Sequence, residues 1–191
     1  MGVERDWRSV FEETHAVPPS RVGVDIAENA LVAGRERAHS VGLDPRAQFK
    51  QGSFDDTAIG AGQVDAVISI DALLFAPDKA AAAAEFRRIV ARGGRLVFTS
   101  WDYHRQPPAR PPQVDDHRPV LQAAGFDVLA YEETAEWRRR IIETTAGLLE
   151  NVDELAHESG EPVARLRAEL VEMQTTFDAM GRRVLVVAEA R

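Results

Sequence analysis

The stretch that most constrains the fold runs from Val64 to Trp101. It begins with VDAVISI, a run rich in β-branched residues that is typical of a strand buried on both faces. A helix is predicted over residues 79–90, and Gly93-Gly94 is expected to end it. A second β-branched run covers residues 95–100. A strand–helix–strand unit this short predicts a right-handed parallel crossover, and therefore an α/β sheet.

The rest of the chain repeats this alternation of strand and helix. Ligands of open α/β sheets bind beyond the carboxyl ends of the strands, so the loops that follow the predicted strands are the candidate site. The further strands are predicted over residues 21–26, 47–52, 126–132 and 183–188, with helices over 27–41, 115–124 and most of 134–181.

Composition limits the class of protein. The formal net charge is -8, which argues against a nucleic-acid partner because such proteins need a basic face. There is no cysteine, so disulfides and thiolate chemistry are excluded. The sequence shows neither a signal peptide nor an apolar run of membrane-spanning length, and we expect a cytoplasmic protein with no membrane partner. Residues 1–20 are predicted to form a short helical segment, followed by one domain over 21–191.

Several motifs resemble those of the class I S-adenosylmethionine-dependent methyltransferases. They are VDAVIS, a helix with EFRR and then RGGRLVF, which match the family's fourth strand, fourth helix and fifth strand. AAGFDVLAYEE matches the entry into the sixth strand, and RVLVVA matches the antiparallel strand that ends the fold. The resemblance implies a Rossmann-like, mostly parallel sheet with an antiparallel C-terminal strand. It also implies S-adenosylmethionine as cofactor, a small-molecule methyl acceptor, and a helical insertion over residues 134–181 that roofs the substrate pocket.

The resemblance assigns the cofactor to three loops. Asp25, next to Ile26, ends a strand and would bind the ribose hydroxyls, because a carboxylate accepts two hydrogen bonds from a vicinal diol. The alternative role for Asp25 is to cap the following helix. Ser53 stands where the family has an acid that receives the adenine amino group, and Asp55 is the alternative acceptor. Phe54 is a candidate for the adenine face or for the core, and the loop Ser69, Ile70 and Asp71 would surround the methionine part.

The methyl acceptor is expected on the other side of the same sheet edge. Methyl transfer mainly needs the donor and acceptor held in line, with a general base for acceptors that must lose a proton. Asp71, Asp102 and His104 are the candidate bases at the strand ends, with His104 the best placed, although a lone loop histidine is also commonly just solvated. Leu74, Trp101, Tyr103 and His104 are the candidate substrate contacts. No metal site is predicted, because no histidine and carboxylate set has metal-ligand spacing.

One family motif is missing. A glycine-rich turn should precede the strand at residue 21, yet Gly2 is the only glycine in residues 1–20. The sequence therefore predicts that the first strand and its helix are absent, which leaves two strands without a ladder partner. Three outcomes are open: these strands pair directly, residues 1–20 or a second copy of the chain fill the gap, or the chain is a fragment of a longer enzyme.

Two functions follow from this reading. The first is methylation of a small molecule with S-adenosylmethionine, which we expect to bind weakly without the glycine turn. The second is a methyltransferase-like protein that no longer methylates and serves as a partner subunit or as a small-molecule cyclase. The acids at the strand ends favour the first function, and the absent glycine turn favours the second.

Overall fold

The structure is a computed structural model that describes residues 21–108 and 110–191. The predicted helical segment over residues 1–20 lies outside them. The chain divides into two compact units, Met1–Ala58 and Ile59–Arg191. None of the helices in the described part of the chain is long and apolar enough to cross a membrane.

The first unit holds two parallel strands and one helix. Strand β1 (Arg21–Asp25) pairs in parallel with β2 (Ala47–Gln51), and helix α1 (Glu28–Ser40) connects them. The ring of Phe49 fills the space beside Gly34, where a Cβ atom would come within 2.6 Å of it. Glycine at this position therefore lets α1 pack closely on β2. The two predicted strands and the helix are confirmed, with ends that shift by one residue.

The second unit is a four-stranded sheet in the order β3-β4-β6-β5. Its strands are β3 (Val64–Ile70), β4 (Val90–Tyr103), β5 (Phe126–Glu133) and β6 (Met180–Ala190). Strands β3 and β4 run parallel, with Ile70 opposite Thr99, which confirms the predicted crossover. Strand β6 runs antiparallel to both β4 and β5, which confirms the predicted C-terminal strand. Strands β1 and β3 belong to different sheets, so the described residues do not show direct pairing between them.

Helices pack on this sheet, and successive side chains of β4 point to its opposite faces. Helices α2 (Lys79–Ile89) and α3 (Arg118–Ala124) pack on the face that carries Leu96 and Phe98. The region predicted as helical over 134–181 contains α4 (Trp137–Glu150), α5 (Val152–Ser159) and α6 (Val163–Thr176). Gly160 adopts a left-handed conformation with φ of 72° and ends α5, as the glycine and proline there predicted.

Two predictions about the crossover unit are wrong. Strand β3 is not buried on both faces: Ile68 and Ile70, which share one face of the strand, are 66% and 60% exposed, so the described part of the chain leaves that face largely uncovered. Helix α2 ends at Ile89 rather than at the glycine pair, and β4 starts immediately after it. The glycines instead form a bulge in β4, where Gly93 has φ of 77° and a Cβ atom on Gly94 would lie 2.5 Å from the Asp65 carbonyl oxygen.

Candidate functional site

In the first unit, two predicted cofactor loops leave adjacent parallel strands. Asp25 lies opposite Gln51 in the ladder, so the loops after β1 and β2 begin side by side. The Gln51 amide donates to the carbonyl oxygen of Ile26 at 3.2 Å, and the Gly52 N–H donates to that of Asp25 at 3.1 Å. These bonds fix the two loops against each other at the carboxyl edge of this small sheet.

The Asp25 carboxylate is exposed and oriented by its own loop. Its Oδ1 accepts a hydrogen bond from the N–H of Ala27 at 2.8 Å. The N-cap of α1 is Ala27, and no side chain caps this helix. Asp25 thus forms a local turn rather than the helix cap considered from the sequence. The turn points an exposed carboxylate at the strand end, which suits a ligand diol.

The turn after β2 is held by its own polar side chains. The Ser53 hydroxyl donates to Asp55 Oδ1 at 2.5 Å, and the Ser53 N–H donates to the carbonyl oxygen of Asp56 at 2.7 Å. Ser53 Oγ in turn accepts from the Asp56 N–H at 3.2 Å. The Ser53 hydroxyl already donates its hydrogen bond to Asp55. The exposed Asp55 carboxylate is therefore the better acceptor for an amino group. Phe54 is half-buried beside them.

In the second unit, Asp71 follows β3 in a strained conformation. Its φ of 49° is uncommon for a residue other than glycine. Its N–H donates to the carbonyl oxygen of Thr99 at 3.1 Å, and its Oδ1 accepts from the Thr99 hydroxyl at 2.7 Å. The Arg183 guanidinium binds both carboxylate oxygens, at 3.2 and 2.8 Å. Both oxygens of the Asp71 carboxylate are therefore engaged by donors of the protein itself.

Three of the predicted substrate contacts come together in an aromatic cluster. We define this cluster as the buried residues Leu74, Trp101, Tyr103, Trp137, Phe177, Ala179 and Met180. Ile141 of α4 and Met173 of α6 pack against it. The helical region thus packs on the side of β4 that carries Trp101 and Tyr103. Ser69 and Ile70, at the end of β3, differ in exposure: Ser69 is buried and Ile70 is exposed.

The loop over residues 104–114 closes on itself beside the cluster. The Tyr103 N–H donates to the carbonyl oxygen of Val114 at 2.8 Å, so the loop starts and ends at one place. The Gln106 side chain donates to the carbonyl oxygen of Arg110 and accepts from the Gln113 N–H, each at 2.8 Å. His104 is exposed, and its ring makes no hydrogen bond to the part of the chain that the structure describes.

A buried polar network occupies the opposite face of the end of β4. Asp102 accepts from the Tyr131 hydroxyl at 2.6 Å and from Arg182 at 2.6 Å, and it lies 2.9 Å from Nδ1 of His117. Burial alone would raise the pKa of Asp102, but the hydrogen bonds from His117, Tyr131 and Arg182 outweigh it and hold the pKa below its usual range. Burial and the Asp102 bond raise the pKa of Tyr131. His117, which immediately precedes α3, therefore lies at the end of β4.

A buried lysine holds the loop between Asp71 and α2. The Lys79 ammonium donates to the carbonyl oxygens of Leu74 and Ala76, at 3.2 and 2.8 Å. Gln113 donates to the Leu74 carbonyl oxygen as well, at 2.8 Å. Burial lowers the pKa of Lys79 to about 8, opposed by the nearby Asp78. Lys79 and His117 also line a cavity of about 10 Å³, which is too small for a ligand.

Sequence reasoning missed Arg183, Arg110 and Gln113. Arg183 was assigned only to the last strand. The antiparallel pairing of β6 with β4 places it opposite Trp101, with its guanidinium carbon 5.7 Å from the ring centre. Alternation along the two strands would have put Arg183 on the substrate side, once their register was known.

Comparison with known proteins agrees with the resemblance seen in the sequence. Residues 10–98 match the family model described as a methyltransferase domain. A search of curated protein sequences gave no significant match. A third comparison, with solved structures, gave the matches described next, which are below 25% sequence identity and bear on the fold alone.

Three solved structures illustrate the fold. The (4+2) cyclase SpnF matches with a TM-score of 0.74 and 18% identity, over 90% of this chain and 67% of that chain. A candidate sarcosine dimethylglycine methyltransferase from Galdieria sulphuraria matches with a TM-score of 0.74 and 17% identity, over 89% of this chain and 68% of that chain. The third is a geranyl diphosphate C-methyltransferase from Streptomyces coelicolor A3(2), solved with Mg²⁺, geranyl diphosphate and S-adenosyl-L-homocysteine. It matches with a TM-score of 0.60 and 17% identity, over 90% of this chain and 64% of that chain.

These matches show the fold and a likeness to one family. The fold is the Rossmann-like α/β fold of the class I methyltransferases, with mostly parallel strands and an antiparallel C-terminal strand. The sequence of residues 10–98, slightly less than half of the chain, is similar to the methyltransferase domain family. The chain spans about two thirds of the length of the first two of these structures.

Proposed function

We propose that this protein transfers a methyl group from S-adenosylmethionine to a small molecule. The observation that carries the proposal is the pair of loops after β1 and β2, which present the exposed Asp25 carboxylate and the Ser53–Asp55 pair at one sheet edge. The family match supports the same cofactor. When bound, S-adenosylmethionine supplies an activated methyl group.

Residues of the first unit would hold the nucleoside part of the cofactor. Asp25 accepts hydrogen bonds from the ribose hydroxyls, and its bond from Ala27 fixes the direction of the carboxylate. Asp55 accepts from the adenine amino group, Phe54 packs on the ring, and the backbone of Ile26 borders the ribose.

The acceptor would react without help from Asp71. Arg183 and Thr99 engage both oxygens of that carboxylate, so the protein's own donors already occupy the positions from which it would contact an acceptor. His104 is exposed at the loop start and is the remaining candidate base. An acceptor that is already a free nucleophile, such as a neutral amine or an electron-rich carbon, fits these residues better than an alcohol.

A second function has support from one solved structure. SpnF, which matches with a TM-score of 0.74, is described as a (4+2) cyclase. A cyclisation of that kind needs a shaped apolar pocket, and the aromatic cluster beneath the helical roof provides apolar walls. Under this alternative the protein holds a small substrate, or serves a partner subunit, without transferring a methyl group.

We further propose that the protein works in the cytoplasm and forms a homodimer that covers the free edge of β3. Within the described residues, no strand pairs with β3 on the side away from β4, and Ile68 and Ile70 on this strand are largely exposed. An apolar edge strand of this kind favours association with a second strand. The net charge of -8 supports a partner other than nucleic acid.

A methyl-transfer assay separates the two functions. The purified protein is incubated with S-adenosylmethionine labelled in the methyl group and a panel of small amines, alcohols and prenyl compounds. Labelled product with stoichiometric S-adenosylhomocysteine supports the first function. Binding of panel compounds with no label transferred, at saturating cofactor, would support the second.

A further inference from the structure

Three hydrogen-bond donors around the aromatic cluster are buried and have no partner among the residues that the structure describes. They are Nε1 of Trp101, the hydroxyl of Tyr103 and Nε of Arg110. Trp101 is 9% exposed and Tyr103 is 3% exposed. Buried donors without acceptors are rare and costly, and each one calls for a physical explanation.

The first two donors share one face of β4. Trp101 and Tyr103 are two residues apart on the strand, so their side chains point to the same side. Both belong to the aromatic cluster, whose other members carry no hydrogen-bonding side chain except Trp137. The Trp137 indole N–H donates to Glu133 at 3.2 Å, so this third aromatic donor is satisfied. The lack of acceptors is confined to the Trp101 and Tyr103 side of the cluster.

Arg110 brings positive charge to the same place. Its guanidinium carbon lies 4.7 Å from the centre of the Phe75 ring, next to Leu74 of the cluster. Burial raises the pKa of Tyr103, and the charge of Arg110 opposes this change. Arg110 forms no ion pair with the residues that the structure describes, whereas Arg183 binds Asp71 and Arg182 binds Asp102.

We propose that the Trp101, Tyr103 and Arg110 donors form a binding site for the oxygen-rich, anionic group of an apolar small molecule. A carboxylate or phosphate supplies several acceptors at once and a charge that matches Arg110. The aromatic cluster would contact the apolar body. This site rests on the proposed function only in that its ligand would be the methyl acceptor.

The surroundings allow such a molecule to enter. Phe75, under the Arg110 guanidinium, is 53% exposed, so this end of the site faces solvent. Met173 and Ile141 pack on the cluster from the helical roof, and an unbranched methionine side chain repacks readily around a ligand. The site therefore has a charged, open end and a deformable apolar end.

Four matched probes test the proposal on the full chain without any S-adenosyl compound. Octanoate and octyl phosphate carry the anionic group, octanol is neutral, and octyltrimethylammonium is cationic. Binding is followed by calorimetry and by the indole N–H signal of Trp101 in ¹⁵N-labelled protein, assigned with Trp101→Phe. We expect one or both anions to bind and shift this signal, with octanol at least about ten-fold weaker and the cation weaker still. The anion that binds more tightly shows whether the site prefers a carboxylate or a phosphate.

Two variants and one control test the assignment to these residues. Tyr103→Phe and Arg110→Gln should each weaken binding of the better anion by about ten-fold or more, whereas Arg105→Gln, an exposed arginine of the same loop, should not. Near-ultraviolet circular dichroism checks that each variant is folded. The proposal is wrong if the four probes bind alike, if none moves the Trp101 signal, or if Arg110→Gln behaves like Arg105→Gln. Because no cofactor is present, these outcomes do not depend on methyl transfer.

Discussion

Tyr103 and Tyr131 are the two tyrosines of the chain, and their hydroxyl groups differ in hydrogen bonding. The Tyr103 hydroxyl is buried without a partner, while that of Tyr131 donates to Asp102 at 2.6 Å. Tyr103→Phe removes an unsatisfied group and should raise the free energy of unfolding by about 1 kcal/mol. Tyr131→Phe removes a charge-assisted bond and should lower it by about 1–3 kcal/mol. Urea unfolding measures both, and equal losses would contradict the assignment of Tyr103 to ligand binding.

Asp102 should make the stability of the protein depend on acid. Its pKa in the folded chain lies below that of the unfolded chain, which is about 3.9. The stabilisation is therefore complete above about pH 4–5 and is lost as the pH falls through the folded pKa. At pH 7, Asp102→Asn should lower the free energy of unfolding by roughly 2 kcal/mol, less than for a fully buried pair because Arg182 is partly exposed.

The measurement is urea unfolding of wild type and Asp102→Asn across the acid range. The difference between the two proteins should stay constant from neutral pH to about pH 5 and shrink below about pH 4. Other carboxylates titrate in both proteins and cancel in the difference. A difference that grows on acidification would show that Asp102 is not held as an anion.

The loop over residues 104–114 should be rigid because two glutamines fasten it. Gln106 and Gln113 bond to each other and to the carbonyl oxygens of Arg110 and Leu74. Gln113→Ala removes the connection to Leu74, so backbone amides of this loop should exchange with solvent about ten-fold faster, in line with the loss of about one hydrogen bond. Gln122→Ala, with an exposed side chain on α3, is the control. Unchanged exchange in Gln113→Ala would mean that the prolines alone order the loop.

The strands and helices of this fold follow from local sequence patterns, and the site follows only in part. The β-branched runs over Val64–Ile70 and 95–100 predicted two adjacent parallel strands, because period and length are local properties. The bulge at Gly93 and Gly94 was missed, since a glycine pair is equally typical of a helix end. The predicted strand ends identified Asp25, Asp71, Trp101 and Tyr103 as candidate site residues. They did not identify the residues to which these side chains bind.

Those partners lie far away in the sequence. Asp71 binds Arg183, which is 112 positions later, and Asp102 binds Arg182, which is 80 positions later. Such pairs depend on the register of β4 against β6, and a shift of one residue would turn every side chain to the other face. Composition and periodicity do not fix that register. The engaged state of Asp71 and the unpartnered donors of the aromatic cluster therefore become visible only in the folded chain.

Association of the whole protein should depend on one edge of the four-stranded sheet. Strand β3 is one edge and β5 is the other. Ile68→Lys should shift sedimenting material from dimer to monomer, because a charge on an edge strand opposes pairing with a second strand. Leu129→Lys, at a 55% exposed position on β5, is the matched control and should leave the distribution unchanged. A monomeric wild type, or equal effects of both variants, would contradict the proposed homodimer.

Binding of S-adenosylhomocysteine tests the central claim, that the protein holds an S-adenosyl cofactor through Asp25. Calorimetry on wild type should show saturable binding with a dissociation constant between micromolar and millimolar. Asp25→Ala should weaken it by about 10–100-fold, the effect of losing a hydrogen bond to a charged group, and Asp65→Ala, an exposed aspartate on β3, should not. Binding that is equal in wild type and Asp25→Ala, or absent from wild type at millimolar ligand, would contradict the account.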